Sequence, residues 1–293
     1  MQDPKCIAVL VAYNPDEGFE GRLRDLIPQV YKVLIVNNGN KLALPDNLID
    51  SLLLIDNSEN LGVAKALNQG IQLADELGAT WVVTLDQDSE LVDGFVSRMM
   101  AVYEILPIKK SLLGANFFDS RRGRLRERTT ELRPGYVPKK TVITSGMMFP
   151  ISLFRELGGF REEYFIDSVD HEYCLRARKA GYGCYITCEP LMTHCIGTEL
   201  NASLQRFLPC AYNHPPFRKY YIARNVVLTV KEYFTFDPAW VAKQFLRVIW
   251  EFLSIVAFEE NKLEKLRSFN RGIIHGIRWG AGNNARARDV NSR

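Results

Sequence analysis

The chain has 293 residues, 47% of them hydrophobic, which suffices for one large core or two smaller ones and excludes a disordered protein. A formal charge of +3 is too small to point to nucleic acid. The excess is local: ten Lys/Arg stand against five Asp/Glu from Ala239 onward, over a near-neutral body, and a basic tail of this kind is expected to seek an anionic surface.

In chain order, "CIAVLVAY" (6–13) reads as a buried strand closed by the loop "NPDEG", and "YKVLIVNNG" (31–39) repeats the design with an Asn-Asn-Gly turn. "SLLLID" (51–56) is a third short strand. Over 60–79 the period changes, with Val63, Leu67, Ile71 and Ala74 on one helical face. "TWVVTLD" (80–86) is the next strand, followed by a helix over about 92–106. Strands alternating with helices predict an α/β fold with a mostly parallel sheet built of βαβ units. The arginine-rich stretch 120–135 is expected as a mobile loop. Strand character returns at 140–150, a helix is expected over 168–182 ending at Gly181, and 183–195 reads as a strand broken by Pro190. The Asn-, Pro- and His-containing segment 200–215 marks the expected boundary between a body over 1–210 and a helical region over 211–293.

In that region the apolar stretch 239–258 is long enough to reach across a bilayer, yet Lys243, Arg247 and Glu251 recur along one stripe. It is therefore expected to keep one wet face and to pack on the body, on a second copy in a homodimer, or on the cytoplasmic face of a membrane. "MQDPKC" carries no basic stretch leading into an apolar one, so no signal peptide is expected; the protein is expected in the cytoplasm with its six cysteines reduced. Cys184, Cys188, His194 and Cys195 follow no standard zinc spacing.

The chemistry is expected at "VVTLDQDSEL" (82–91). Open parallel sheets bind ligands at the carboxyl ends of their strands. Asp86 and Asp88, one residue apart on extended chain, project to the same side and repel each other unless a cation lies near. Hard oxygen ligands suit Mg²⁺ or Mn²⁺, ions that share phosphate oxygens with a substrate. The alternative is a solvated turn, since Asp and Ser are common there. "VAYNPDEG" after the first strand is not the glycine fingerprint of a dinucleotide site, and no P-loop is present.

With these residues in place, "VLVAYNP", "LIVNNG", "NLGVAKALNQGI", "VVTLDQDS", "SGMMF" and "YFIDSVDHEYCLRARKAGY", in this order, resemble the inverting family-2 glycosyltransferases of GT-A fold. The rhamnosyltransferase branch fits best, and "RKYYIARN" (218–225) matches its downstream segment; the resemblance covers about residues 6–225. It implies a nucleotide half over 1–118 and an acceptor half over 119–210. It implies that Ala12, Tyr13 and Asn14 border the nucleotide base, that Asn37 accepts from the base where relatives carry Asp, and that Asn60, Gly62 and Asn68 lie behind the nucleotide. An Arg that many relatives place before Asn68 is Leu67 here. Asp86 is implied toward ribose and metal, Gln87 beside the nucleotide sugar, Asp88 as the firmer metal ligand, and His194 near diphosphate and metal. Ser145, Gly146 and Asp167 are implied on the acceptor side, Gly146 letting a sugar approach the backbone. Asp170 aligns with the catalytic base, with Asp167 and Glu172 as rivals.

The implied reaction is displacement at an anomeric carbon, with a carboxylate taking the acceptor's proton. The donor is expected to be dTDP-L-rhamnose and the acceptor a lipid-linked or growing surface saccharide. Two other classes stay open: a sugar-phosphate nucleotidyltransferase, which the acidic "NPDEGFEG" disfavours, and a non-catalytic membrane-peripheral component of a polysaccharide assembly.

Overall fold

The computed structural model describes residues 5–44, 46–120, 123–127, 135–194 and 213–279. The expected boundary near 200–215, Cys195, Cys210 and most of the arginine-rich stretch lie outside them. Two compact units are present: one is Met1–Glu162 with Val169–Ile196, the other Glu163–Ser168 with Gly197–Arg293.

The first unit is built on a ten-stranded sheet. Its strands are β1 (Cys6–Ala12), β2 (Lys32–Asn37), β3 (Leu52–Asp56), β4 (Trp81–Asp86), β5 (Glu90–Leu91), β6 (Ser111–Asp119), β7 (Arg124–Leu125), β8 (Tyr136–Pro138), β9 (Met147–Pro150) and β10 (Gly183–His194). The order is β3-β2-β1-β4-β9-β6-β10-β5, with β7 on β6 and β8 on β10. β1 pairs in parallel with β2 and β4, β2 with β3, and β6 with β10, while β9 runs against both β4 and β6. The long strands therefore share one direction except β9, and their carboxyl ends reach a common edge. The helices α1 (Phe19–Leu26), α2 (Val63–Glu76), α3 (Phe95–Glu104), α4 (Ile151–Leu157) and α5 (Val169–Lys179) complete the unit.

The apolar runs become strands because both sheet faces are covered. Ala8, Leu10, Val33, Ile35, Val83 and Leu85 pack with Phe95, Met99, Phe117 and Met148 in one buried cluster. The expected strand over 140–150 contracts to β9, and β6, α1 and α4 were not anticipated. β6 is interrupted in sequence by Gly114 and Asn116, which hide its period; Asn116 is wholly buried, its amide donating to the carbonyls of Glu127 and Cys188 at 3.1 and 3.0 Å. Pro190 does not end β10; the register against β6 shifts on either side of it, so a bulge accommodates the missing donor.

The second unit holds α6 (Pro216–Tyr233), α7 (Pro238–Phe258) and α8 (Lys262–Arg278). Ala223, Ile255 and Phe269, one from each helix, meet in its core. Asp237 caps α7 by accepting from the Trp240 N–H at 3.0 Å. The stripe Lys243, Arg247 and Glu251 does not form one wet face: Lys243 and Arg247 are exposed, whereas Glu251 is buried against Lys219.

Candidate active site

β4 delivers Asp86 to the carboxyl edge, and the chain then turns at once. β5 pairs antiparallel with the end of β10, setting Leu91 opposite Met192 and Glu90 opposite Thr193. That pairing carries Asp88 to the next residue, His194, more than a hundred positions away in sequence. His194 Nε2 lies 3.9 Å from an Asp86 oxygen and Nδ1 lies 3.5 Å from an Asp88 oxygen. One ligand atom from each of the three residues fits within 4.8 Å of the others. Both carboxylates are 41% exposed while the imidazole is 9% exposed, with Phe117 packed edge-on 5.7 Å away. The His194 Nδ1 is buried with no hydrogen-bond partner among the described residues. Two solvent-facing carboxylates and an orphaned imidazole nitrogen fit a divalent cation of the Mg²⁺ or Mn²⁺ type.

Ser145 and Gly146 stand behind this cluster rather than lining open space. Ser145 is wholly buried, its hydroxyl facing Ser89 at 2.5 Å and the Asp86 N–H at 3.4 Å. Gly146 has φ +75°, and a Cβ there would lie 2.7 Å from the Met192 sulfur and 2.9 Å from the Ala115 methyl. The close approach that demands glycine is made by the protein's own strands.

The turns after β1 and β2 reach the same edge and hold each other. Tyr13 is 54% exposed, and its N–H and carbonyl are both bonded by the Gln87 amide, at 2.6 and 3.2 Å. Gln87 thus uses its side chain to tie the first strand's exit to the turn that carries Asp86 and Asp88, and its carbonyl takes the Arg22 guanidinium at 2.8 Å. Ala12 is buried, its carbonyl accepting from the Asn38 N–H at 2.8 Å. Asn14, at φ 49°, accepts from the Asn40 N–H at 2.8 Å, and a Cβ on Gly39 would stand 2.6 Å from the Asn14 nitrogen.

Asn37 is fully buried. Its amide oxygen accepts from the Gly39 N–H at 3.0 Å and its nitrogen donates to the Asn40 carbonyl and to Asp56, each at 2.7 Å. The expected acceptor for a base is therefore engaged inside the turn, and the exposed group beside it is the Asp56 carboxylate. Leu67 is likewise buried. Asn60 accepts from the Gly62 N–H at 2.9 Å and so shapes the entry to α2. Asn68 is buried and brackets Phe160, accepting from its N–H at 2.7 Å and donating to its carbonyl at 2.8 Å.

Asp170 lies outside the metal cluster, in the first turn of α5, accepting from the His171 N–H at 2.7 Å. Its rivals are engaged. Glu172 is wholly buried between Arg161 and Arg176, at 3.1 and 3.0 Å. Asp167 belongs to the second unit, where both its oxygens take the Arg218 guanidinium at 3.0 and 3.2 Å. Burial pushes the Cys6 thiol up to about 12 and raises Cys174 as well.

The family model for glycosyl transferase family 2 matches residues 7–153. Over 290 residues the chain is 30% identical to the dTDP-rhamnosyl transferase RfbF of Shigella flexneri, covering 92% of this chain and 95% of the relative. The chain belongs to glycosyl transferase family 2. As a family-2 member it is a glycosyltransferase, and solved structures agree on its fold. GalNAc-T7 with UDP, GalNAc and Mn²⁺ matches with a TM-score of 0.54 at 12% identity, over 78% of this chain and 51% of that one, so the chain spans about half of that structure. S. aureus TarS, residues 1–349, matches with a TM-score of 0.52 at 12% identity, over 96% of this chain and 74% of that one. At such identities the likeness concerns the fold alone, and that fold is the expected GT-A sheet flanked by helices.

In this family-2 transferase, sequence reasoning passed over Asp56, Ser89 and Arg22. A signal for Asp56 was present: it ends "SLLLID" as Asp86 ends "VVTLD", a carboxylate at a strand's carboxyl end. Ser89 and Arg22 carried none, because their partners lie far along the chain.

Proposed function

We propose that the enzyme transfers L-rhamnose from dTDP-L-rhamnose, with inversion, to a hydroxyl of a lipid-linked or growing surface saccharide in the cytoplasm. The observation that carries this reading is the Asp86–Asp88–His194 cluster in a chain similar over almost its full length to a dTDP-rhamnosyl transferase. Asp86, Asp88 and His194 would hold a Mg²⁺ or Mn²⁺ ion, which when bound would offset charge on the departing nucleoside diphosphate. Tyr13 and Asn14, braced by Gln87 and Asn40, border the base, and Asp56, oriented by Asn37, offers it an acceptor. Asn60, Gly62 and Asn68 support this side from behind.

Asp170 takes the proton of the incoming hydroxyl as the new bond to the anomeric carbon forms, a contribution of about 10²–10⁴-fold. The engagement of Glu172 and Asp167 with arginines favours Asp170 among the acids of its segment. The reading is tested by incubating the protein with dTDP-L-rhamnose and other nucleotide sugars, with and without Mg²⁺ or Mn²⁺, and measuring release of the nucleoside diphosphate. Metal-dependent release from dTDP-L-rhamnose above all others is expected. Release from none of them, or release indifferent to chelator, contradicts it.

A further inference from the structure

In the second unit one helix buries polar side chains beside the apolar Trp240, Val241 and Ile255. α7 turns Gln244, Glu251 and Ser254 inward, and Glu259 follows just beyond its end. Lys219 of α6, wholly buried, holds Glu251 and Glu259 at 2.5 Å each, and Lys265 of α8 donates to Glu259 at 3.0 Å and to Asn213. Buried charges paired in this way fix how α7 is rotated about its axis.

That rotation turns Phe245, Leu246, Ile249, Phe252, Leu253 and Val256 outward, each between 37% and 65% exposed. At about 100° per residue they share an arc of about 120°. An arc of this width is what an amphipathic helix ordinarily buries against a core. A helix in water does the reverse, so a continuous outward face of this size marks a contact with something apolar.

The exposed charge on the two helices is mainly basic. Among the described residues from Pro238 to Arg278 the exposed charges are Lys243, Arg247, Lys262, Arg267, Arg271 and Arg278 against Glu260 and Glu264. On α8, Leu263, Ile274 and Ile277 are exposed on the same side of the helix as Arg267, Arg271 and Arg278. An apolar ridge on helices whose exposed charge is mainly basic complements an anionic bilayer, acyl chains meeting the ridge and lipid phosphates the guanidinium and ammonium groups. A second copy of the chain would set the same cations against each other. No described helix is long and apolar enough to cross a membrane, so the contact lies in the interface plane.

We propose that α7 and α8 dock the protein on an anionic phospholipid surface, with the Phe245–Val256 ridge inserted among the headgroups. The inference stands independently of the donor and acceptor proposed above. Its test is sedimentation of the full chain with vesicles of phosphatidylcholine alone or mixed with phosphatidylglycerol, with light scattering of the protein without lipid. The wild type is expected to sediment with the mixed vesicles and to be released by high salt. A Leu246→Gln, Leu253→Gln variant should bind at least tenfold more weakly, and Arg267→Gln about fivefold more weakly, with circular dichroism and release of the nucleoside diphosphate unchanged. Absence of vesicle binding, or equal binding by both variants and wild type, overturns the proposal. A dimer that the leucine variant dissolves overturns it too, assigning the ridge to a second copy.

Discussion

His194 takes its meaning wholly from tertiary structure. Alone in sequence it is a strand-end histidine; with β5 laid along β10 it stands beside Asp86 and Asp88, one ligand-type atom of each within 4.8 Å of the others. The two aspartates were legible because a carboxylate at a strand's carboxyl end follows from how parallel sheets bind ligands. Asn37 was legible as a position but not as an environment, since nothing local shows that its amide is spent on Gly39, Asn40 and Asp56. Two expectations belong at this scale. Asp170→Asn should lower kcat by about 10²–10⁴-fold while leaving the affinity for dTDP nearly unchanged, as read by single-turnover kinetics and calorimetry. Wild-type turnover in that variant would remove Asp170 from the mechanism. Asp56→Ala should weaken dTDP binding about tenfold, the worth of one charge-assisted hydrogen bond, with metal affinity unaltered. Unchanged dTDP binding would leave the base to be recognised elsewhere.

At the scale of elements, the second unit owns a short piece of chain that sequence reading gave to the body. Phe165, Asp167 and Ser168 all have positive φ, a strained course for non-glycine residues. "RKYYIARN" on α6 holds it: Asn225 donates to the carbonyls of Tyr164, Ile166 and Asp167 at 2.8 Å each, Tyr221 stacks on Phe165 at 4.9 Å, and Arg218 pairs with Asp167. The motif was readable; its task was not, because the bonds run to backbone atoms some sixty residues away. The same unit carries a pH dependence. His214 is buried beside Arg218, Lys219, Arg247 and Lys265, and burial first, those cations second, hold its pKa down at about 2. Its unfolded value is about 6.5. Between those values the unfolded chain binds a proton that the folded one refuses, so stability present above about pH 6.5 is lost as pH falls, by about 1.4 kcal/mol per pH unit. Denaturant melts of the wild type and of His214→Gln should diverge below that pH, the variant losing less. Parallel pH profiles would contradict the assignment.

For the whole molecule, the alternating strands and helices of the first hundred residues were legible because apolar runs bounded by turns encode a covered parallel sheet. The reversed β9 was not, since strand direction leaves no trace in side-chain period, and the two units interleave at 163–168 where composition does not change. What joins the levels is a sheet whose carboxyl edge gathers acids, a histidine and two braced turns, where we propose that the nucleoside diphosphate sits. Calorimetric titration of dTDP into the wild type and into His194→Ala, with and without Mg²⁺, addresses that claim directly. The account predicts that Mg²⁺ strengthens wild-type binding at least tenfold and that His194→Ala loses most of this gain while binding metal-free dTDP as before. Equal affinity with and without metal, or a full metal effect in the variant, would contradict it.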